Sequence, residues 1–165
     1  MITGRAVDAL TARFPGVQSD EFRGQARVVV HPDSLHDVLA FLRDEHQFQL
    51  LIDITCVDYL HYRDATDRYG LVYLLATLEQ GARVTVRTWL NDPDPVIATV
   101  TDLWSGADWL EREVWDMFGI VFVGHPDLRR ILLPDQFTSH PLRKDYPLQG
   151  RGERHNFTAI RRGEA

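Results

Sequence analysis

Tyr69-Gly70-Leu71-Val72-Tyr73-Leu74-Leu75-Ala76-Thr77-Leu78-Glu79-Gln80-Gly81-Ala82-Arg83-Val84-Thr85-Val86-Arg87-Thr88-Trp89-Leu90 is the stretch that decides the fold. Tyr69 to Leu78 is strongly apolar and predicts a central strand buried on both faces. Glu79-Gln80-Gly81 is turn chemistry, so the chain reverses there. Ala82 to Leu90 is the returning strand of the hairpin. Along it Val84, Val86 and Thr88 share one face, while Arg83, Thr85 and Arg87 share the other.

Upstream, Leu50 to Asp58 reads as another strand, and the polar run Tyr59 to Arg68 as a loop. Leu35, Val38, Leu39 and Leu42 recur at helical spacing behind Pro32, predicting a core-facing helix that ends near Glu45 or His46. Val17 to Val30 holds two strands broken near Arg23-Gly24, and Ala6 to Phe14 a short helix stopped by Pro15-Gly16. Downstream, Asp94 as N-cap and Pro95 at the first position predict a helix over Val96 to Trp104. Ser105-Gly106-Ala107-Asp108 resembles a capping box opening a second helix, which runs to Phe118 and stops at Gly119.

Beyond Gly119 the pattern changes. Pro126, Pro134, Pro141 and Pro147 leave no room for a long helix, and only Ile120 to Val123 reads as a strand. Leu128, Ile131, Leu132, Leu133, Phe137 and Leu142 nonetheless require burial. The expected fold class is therefore α+β: a mixed β-sheet flanked by helices over residues 1–118. An extended, mostly irregular C-terminal arm over 119–165 lies on its own domain and on partner chains.

The 165 residues suffice for one domain with a core of its own. The net charge of −6 argues against a general nucleic-acid binder. Charge is uneven, with a balance of −9 over residues 1–118 and +3 over 119–165. The single cysteine, Cys56, rules out an internal disulfide and an all-cysteine cluster within the chain. The N-terminus lacks an export signal, and no apolar run is long enough to span a bilayer, so a cytoplasmic location is expected.

The catalytic candidates are few. Seven histidines carry no metal-ligand spacing: His31 and His36 miss the i, i+4 pairing that puts two imidazoles on one helix face. Phosphate-binding glycine loops and nucleophile elbows are absent. Glu111-Arg112-Glu113 with Asp116 is a dense charge cluster on one helix. Glu113 and Asp116, three apart, form a possible acid/base pair, and Arg112 and Asp116, four apart, a possible ion pair. Arginines among carboxylates favour a structural ion network. A free-standing enzyme would instead need a concave pocket at that helix.

Glu111-Arg112-Glu113-Val114-Trp115-Asp116-Met117-Phe118-Gly119-Ile120 leads into Gly124-His125-Pro126-Asp127-Leu128-Arg129-Arg130-Ile131-Leu132, and then into His140-Pro141-Leu142-Arg143-Lys144-Asp145-Tyr146-Pro147-Leu148. This ordered run closely resembles the signature of the 30 kDa subunit family of respiratory NADH–quinone oxidoreductase, complex I. A looser resemblance reaches back through Asp53-Ile54-Thr55-Cys56-Val57-Asp58-Tyr59, Val100-Thr101-Asp102-Leu103-Trp104 and Ala107-Asp108-Trp109. Ser139, where the family often has glycine, and Pro134 depart from the pattern and affect loop shape.

The resemblance implies a structural and assembly subunit of the peripheral arm. It would support electron transfer from NADH to quinone coupled to proton translocation, with no catalytic residue of its own. It implies no cofactor or metal on this chain, while NADH, FMN, iron–sulfur clusters and quinone lie on other subunits. The implied partners are the homologue of the family's quinone-site subunit and neighbouring cluster-bearing subunits. The implied place is the cytoplasmic side of a bacterial inner membrane, held there through the complex. The alternative is a homologous subunit of a membrane-bound [NiFe] hydrogenase or another quinone-linked dehydrogenase. The signature and partner-interface residues are Glu111, Arg112, Glu113, Asp116, Phe118, Gly119, Gly124, His125, Pro126, Leu128, Arg129, Arg130, Pro141, Arg143, Lys144 and Asp145. Within them, Glu111, Arg112, Glu113 and Asp116 are expected to form an ion network with Arg129, Arg130, Arg143 or Lys144.

Overall fold

The computed structural model describes residues 2–157. The hairpin forms as read: β4 (Tyr69–Ala76) pairs antiparallel with β5 (Arg83–Leu90), with Tyr73 opposite Val86. On one side β3 (Leu50–Asp58) pairs antiparallel with β4. On the other, β2 (Gln25–Val29) lies parallel to β5, and β1 (Gln18–Phe22) closes the sheet antiparallel to β2. The sheet order is β1-β2-β5-β4-β3, a mixed sheet as expected. Arg23 and Gly24, at φ 53° and 77°, make the tight β1–β2 turn, because two consecutive positive φ values match the twist of a hairpin.

One face of this sheet is the core. Ile54, Cys56, Tyr69, Leu71, Tyr73, Leu75, Val84, Val86 and Val28 all point into it. Helices α1 (Ile2–Arg13) and α2 (Leu35–His46) cover it, α2 through Leu35, Val38, Leu39 and Leu42, each at most 1% exposed. Each such aliphatic side chain contributes about 1.5–3 kcal/mol by leaving water. Pro32–Ser34 forms a short 3-10 turn before α2, and Gln47 ends α2 in the left-handed region at φ 61°. The second face of the sheet, with Thr55, Val57, Arg87 and Trp89, stays partly open.

Two local expectations fail. Val96 to Trp104 is not a helix: Val96–Ala98 forms β6, followed by turns. β6 pairs parallel with β7 (Val121–Val123), Ile97 opposite Phe122. The alternation exposed–buried–exposed over Val96, Ile97 and Ala98 is that of a strand, and a partner more than 20 residues away overrides the local Asp94-Pro95 signal. Ser105 and Asp108 do not form a capping box either. The N-cap of α3 (Ala107–Phe118) is Gly106, without a side-chain cap, and Asp108 turns toward Arg112 and His125. Gly119 ends α3 in the left-handed conformation at φ 78°, as read.

Candidate functional site

α3 presents a buried face to the core through Val114, Met117 and Phe118. It also buries three charged residues, Glu111, Arg112 and Asp116. Glu113 is exposed. Glu113 and Asp116 therefore do not share a surface, and the acid/base pair is not assembled.

Asp116 is 0% exposed and anchors the segment that follows α3. Its Oδ1 accepts a hydrogen bond from Arg130 Nη1 at 2.5 Å. Its Oδ2 accepts from the backbone N–H groups of Ile131, Leu132 and Leu133 at 3.1, 2.9 and 2.9 Å. Three consecutive N–H groups converging on one oxygen form an anion-holding nest. Burial by itself would raise the Asp116 carboxyl; the N–H groups and the Arg130 guanidinium outweigh it and hold the group below the usual carboxylate range. A net ion pair survives burial when every lone pair is satisfied in this way.

The arm then crosses the end of α3. The Asp116 carbonyl accepts from His140 Nδ1 at 3.0 Å, and the Met117 carbonyl from the Leu142 N–H at 3.1 Å. Burial, with Arg130 and Arg143 nearby, holds the imidazole below its usual value, so at neutral pH His140 is uncharged and carries its proton on Nδ1. The imidazole lies so close to Gly119 that a Cβ there would sit 2.7 Å from the ring. Glycine is thus required twice, for the positive φ and for the approach of His140.

A second anchor sits at the end of β3. Asp58, its side chain fully buried, accepts from Arg68 at 3.1 Å, from the Leu60 N–H at 2.9 Å and from the Lys144 N–H at 2.8 Å. Arg68 also reaches Asp145 at 3.0 Å and pairs with Asp92. Arg143 donates to the Tyr69 hydroxyl at 2.7 Å and to Asp92 at 3.0 Å. Burial opposes the charge on Asp58, but Arg68 and the two N–H groups hold its carboxyl below the ordinary range. Sequence reasoning misses this node as a site. Its signal is a carboxylate on the buried parity of an apolar strand, after Ile54 and Cys56.

The expected ion network is only partly assembled. Asp116 pairs with Arg130, one of the four cations offered for the network. Arg112 does not pair with Asp116; it lies 3.8 Å from Asp108 and donates to the carbonyls of Arg129 and Arg130, both at 3.2 Å. Glu111 has no cation among the described residues. It accepts from the Thr99 hydroxyl at 2.5 Å and the Val100 N–H at 2.7 Å, tying α3 to the end of β6. Burial pushes its carboxyl up to about 7, with Asp102 and Asp108 adding to the effect. Arg143 and the Lys144 backbone serve the Asp58 node instead, and Arg129 pairs at the surface with Asp127 at 2.9 Å.

The remaining signature residues are mostly structural. Phe118 is in the core, and Leu128 is half-buried against it. The His125 side chain is fully buried, with Nδ1 accepting from the Asp127 N–H and Nε2 donating to the Asp108 carbonyl. Gly124 has φ 88° and lies against Thr99; Pro126 is exposed and Pro141 half-buried. Cys56 is buried and pushed up to about 12 by desolvation, which makes its thiol inert near neutral pH. The depression beside the Asp116 end, about 290 Å³ and lined by Ser139, His140, Arg143, Asp145 and Tyr146, opens broadly to the surface. The buried carboxylates are committed to groups of the protein itself.

The sequence pattern described as "Respiratory-chain NADH dehydrogenase, 30 Kd subunit" matches residues 28–152. The chain is 45% identical to the corresponding NADH-quinone oxidoreductase subunit of Citrifermentans bemidjiense over 88% of this chain and 90% of that one. It is 43% identical to the same subunit of Geobacter sulfurreducens over the same shares. Among solved structures, it resembles the trypsin-resistant fragment of Nqo5 with TM-score 0.71 and 38% identity, covering 78% of this chain and all of the fragment. It also resembles a chain of a membrane-bound sulfane sulfur reductase, an archaeal respiratory membrane complex, with TM-score 0.76 and 27% identity over 88% of this chain and 85% of that one. With a match this long, running through both anchors of the arm, the chain belongs to the 30 kDa subunit family of respiratory-chain NADH dehydrogenase.

Proposed function

We propose that this chain is a structural subunit of the peripheral arm of complex I, supporting NADH-to-quinone electron transfer by assembly and performing none of the chemistry. The family match over residues 28–152 carries this reading. The way these residues are used supports it: Asp116, Arg130, Asp58 and Arg143 are bound to one another's segments and hold the arm. One buried cysteine cannot supply the thiolates of an iron–sulfur cluster. The redox groups then belong to other subunits, and no helix of the described residues is long and apolar enough to cross a membrane.

The arm over 119–165 is the segment proposed to reach the quinone-site subunit and neighbouring cluster-bearing subunits. Among the described residues beyond β7, its exposed large apolar side chains are Leu132, Leu142 and Leu148, at 60%, 50% and 106% exposure. Held this way, the chain sits on the cytoplasmic side of the membrane through the complex. The structural likeness to the sulfane sulfur reductase favours one second reading, a place in a related respiratory machine with a different electron donor.

Affinity purification of the tagged chain from gently solubilised membranes tests both. Recovery of flavin-bearing NADH-input subunits with NADH–quinone activity is the expected result. Recovery of hydrogenase-type subunits would keep the scaffold role and change the reaction. A lone protein with no partners would contradict both.

A further inference from the structure

The open face of the five-stranded sheet has a definite chemical pattern. Reading across the strands in register, Val57 lies beside Gly70 and Trp89, and the next row is Thr55, Val72 and Arg87. The third row is Asp53, Leu74, Thr85 and Arg27, and the fourth ends on Ala76 and Arg83. The β3–β4 half is therefore mostly apolar and the β5–β2 half basic. Val57 is 42% exposed, and Trp89 lies across Gly70, where a Cβ would meet the indole at 3.0 Å.

Arg83 and Arg87 on this face differ from the arginines that hold the arm. Arg68, Arg130 and Arg143 each have a carboxylate of this chain within 3.0 Å. Arg27 is held by Asp20 through two hydrogen bonds. Arg83 and Arg87, two residues to either side of Thr85, have no carboxylate within ion-pair distance among the described residues. Arg87 rests over the Trp89 ring, at 5.3 Å, and acts on Asp20 only through space, without an ion pair. In a chain of net charge −6, two neighbouring guanidinium groups without an ion pair beside an apolar strip ask for carboxylates from outside.

We propose that this face docks a neighbouring protein subunit whose contact surface sets acidic side chains against Arg83 and Arg87 and apolar ones against Val57 and Leu74. The inference rests on the chain being a subunit of a larger complex. An anionic membrane fits worse, since Asp53 and Asp20 lie on the face and the chain as a whole is acidic. A second copy fits worse too: Asp20 on this face is held by Arg27, which leaves Asp53 alone among the described residues to answer two arginines.

A photo-crosslinking residue at Thr85 of the tagged full chain, irradiated within the membrane-bound complex, tests the assignment. The expected product joins Thr85 to an Asp/Glu-containing segment of another subunit. Arg83→Glu with Arg87→Glu should lower that product about tenfold, and the two Lys substitutions should largely retain it. Arg83→Glu alone, at an exposed position, guards against misfolding of the double variant and should lower the product in the same direction. If other subunits are recovered with the chain but Thr85 joins only lipid, a second copy or nothing, the docking face is overturned while the family role stands. An unchanged product in the charge-reversed variants also overturns it. If no other subunits are recovered, the role and the docking face fall together.

Discussion

Glu111 and Asp116 stand five residues apart on one helix, and neither exposes any surface, yet they do opposite work. At the N-terminal half of α3, Glu111 meets a hydroxyl and one N–H, no cation among the described residues, and two further acids nearby. At the C-terminal half, Asp116 meets a guanidinium and three N–H groups in a row. Neither carboxyl reaches solvent, yet burial pushes one up to about 7 while its donors hold the other ionised. Partners as well as depth decide what a buried acid contributes. The first joins α3 to the end of β6 through a hydroxyl and an N–H. The second fastens the arm.

The sharpest way to break this contrast is Asp116→Ala. It leaves Arg130, only 11% exposed, without its counter-charge and strips the acceptor from Ile131, Leu132 and Leu133. Denaturant unfolding should show a loss of about 3–5 kcal/mol, with the arm cut first by protease. A loss under about 1 kcal/mol would mean that the arm is held by other contacts.

Glu111→Gln should act in the other direction above neutrality. The folded carboxyl sits at about 7 against an ordinary 4.5. Between those values the folded state keeps a proton that the unfolded state has released, so the contribution of Glu111 to stability falls as pH rises through that window. Above it the full penalty stands, roughly 3 kcal/mol. Glutamine keeps an acceptor for Val100 and never ionises. The variant should gain stability over wild type at pH 8 and lose the gain near pH 4.5, as read from unfolding midpoints. Asp116 behaves oppositely, since its folded value lies below 3.8. Its stabilisation is present above the unfolded value and fades as acid takes the pH down through the folded one.

Smaller effects map the edge of the comparison. Gly119→Ala forces a left-handed alanine and pushes against the His140 ring, so it should cost about 2 kcal/mol and shift the fluorescence of Trp115, which neighbours that ring. Glu113→Ala, on the exposed side of the same helix, should change stability by no more than about 0.5 kcal/mol in the same unfolding assay.

The elements read from local chemistry were those whose signals are local. Alternation and turn residues marked the β4–β5 hairpin, helical spacing marked α2, and Gly119 marked the end of α3. β6 escaped because its partner β7 comes more than 20 residues later, and nothing in Val96–Ala98 announces that pairing. The Asp116–Arg130 pair was legible only as one combination among several, because the motif offers four cations and Arg112 lies one turn away. The Asp58 node was not, because one of its N–H donors, at Lys144, lies 86 residues away. The isolation of Glu111 from any cation was equally hidden: sequence shows which charges are near along the chain, and only packing decides which way each side chain turns.

The most direct test is a pH titration of the two side-chain carboxyls by NMR in a single sample, with Glu111→Gln and Asp116→Asn used for assignment. Glu111 should titrate near pH 7 while Asp116 stays ionised below the usual carboxylate range. Both groups titrating together near the ordinary carboxylate value, about pH 4, would contradict the division of labour between them.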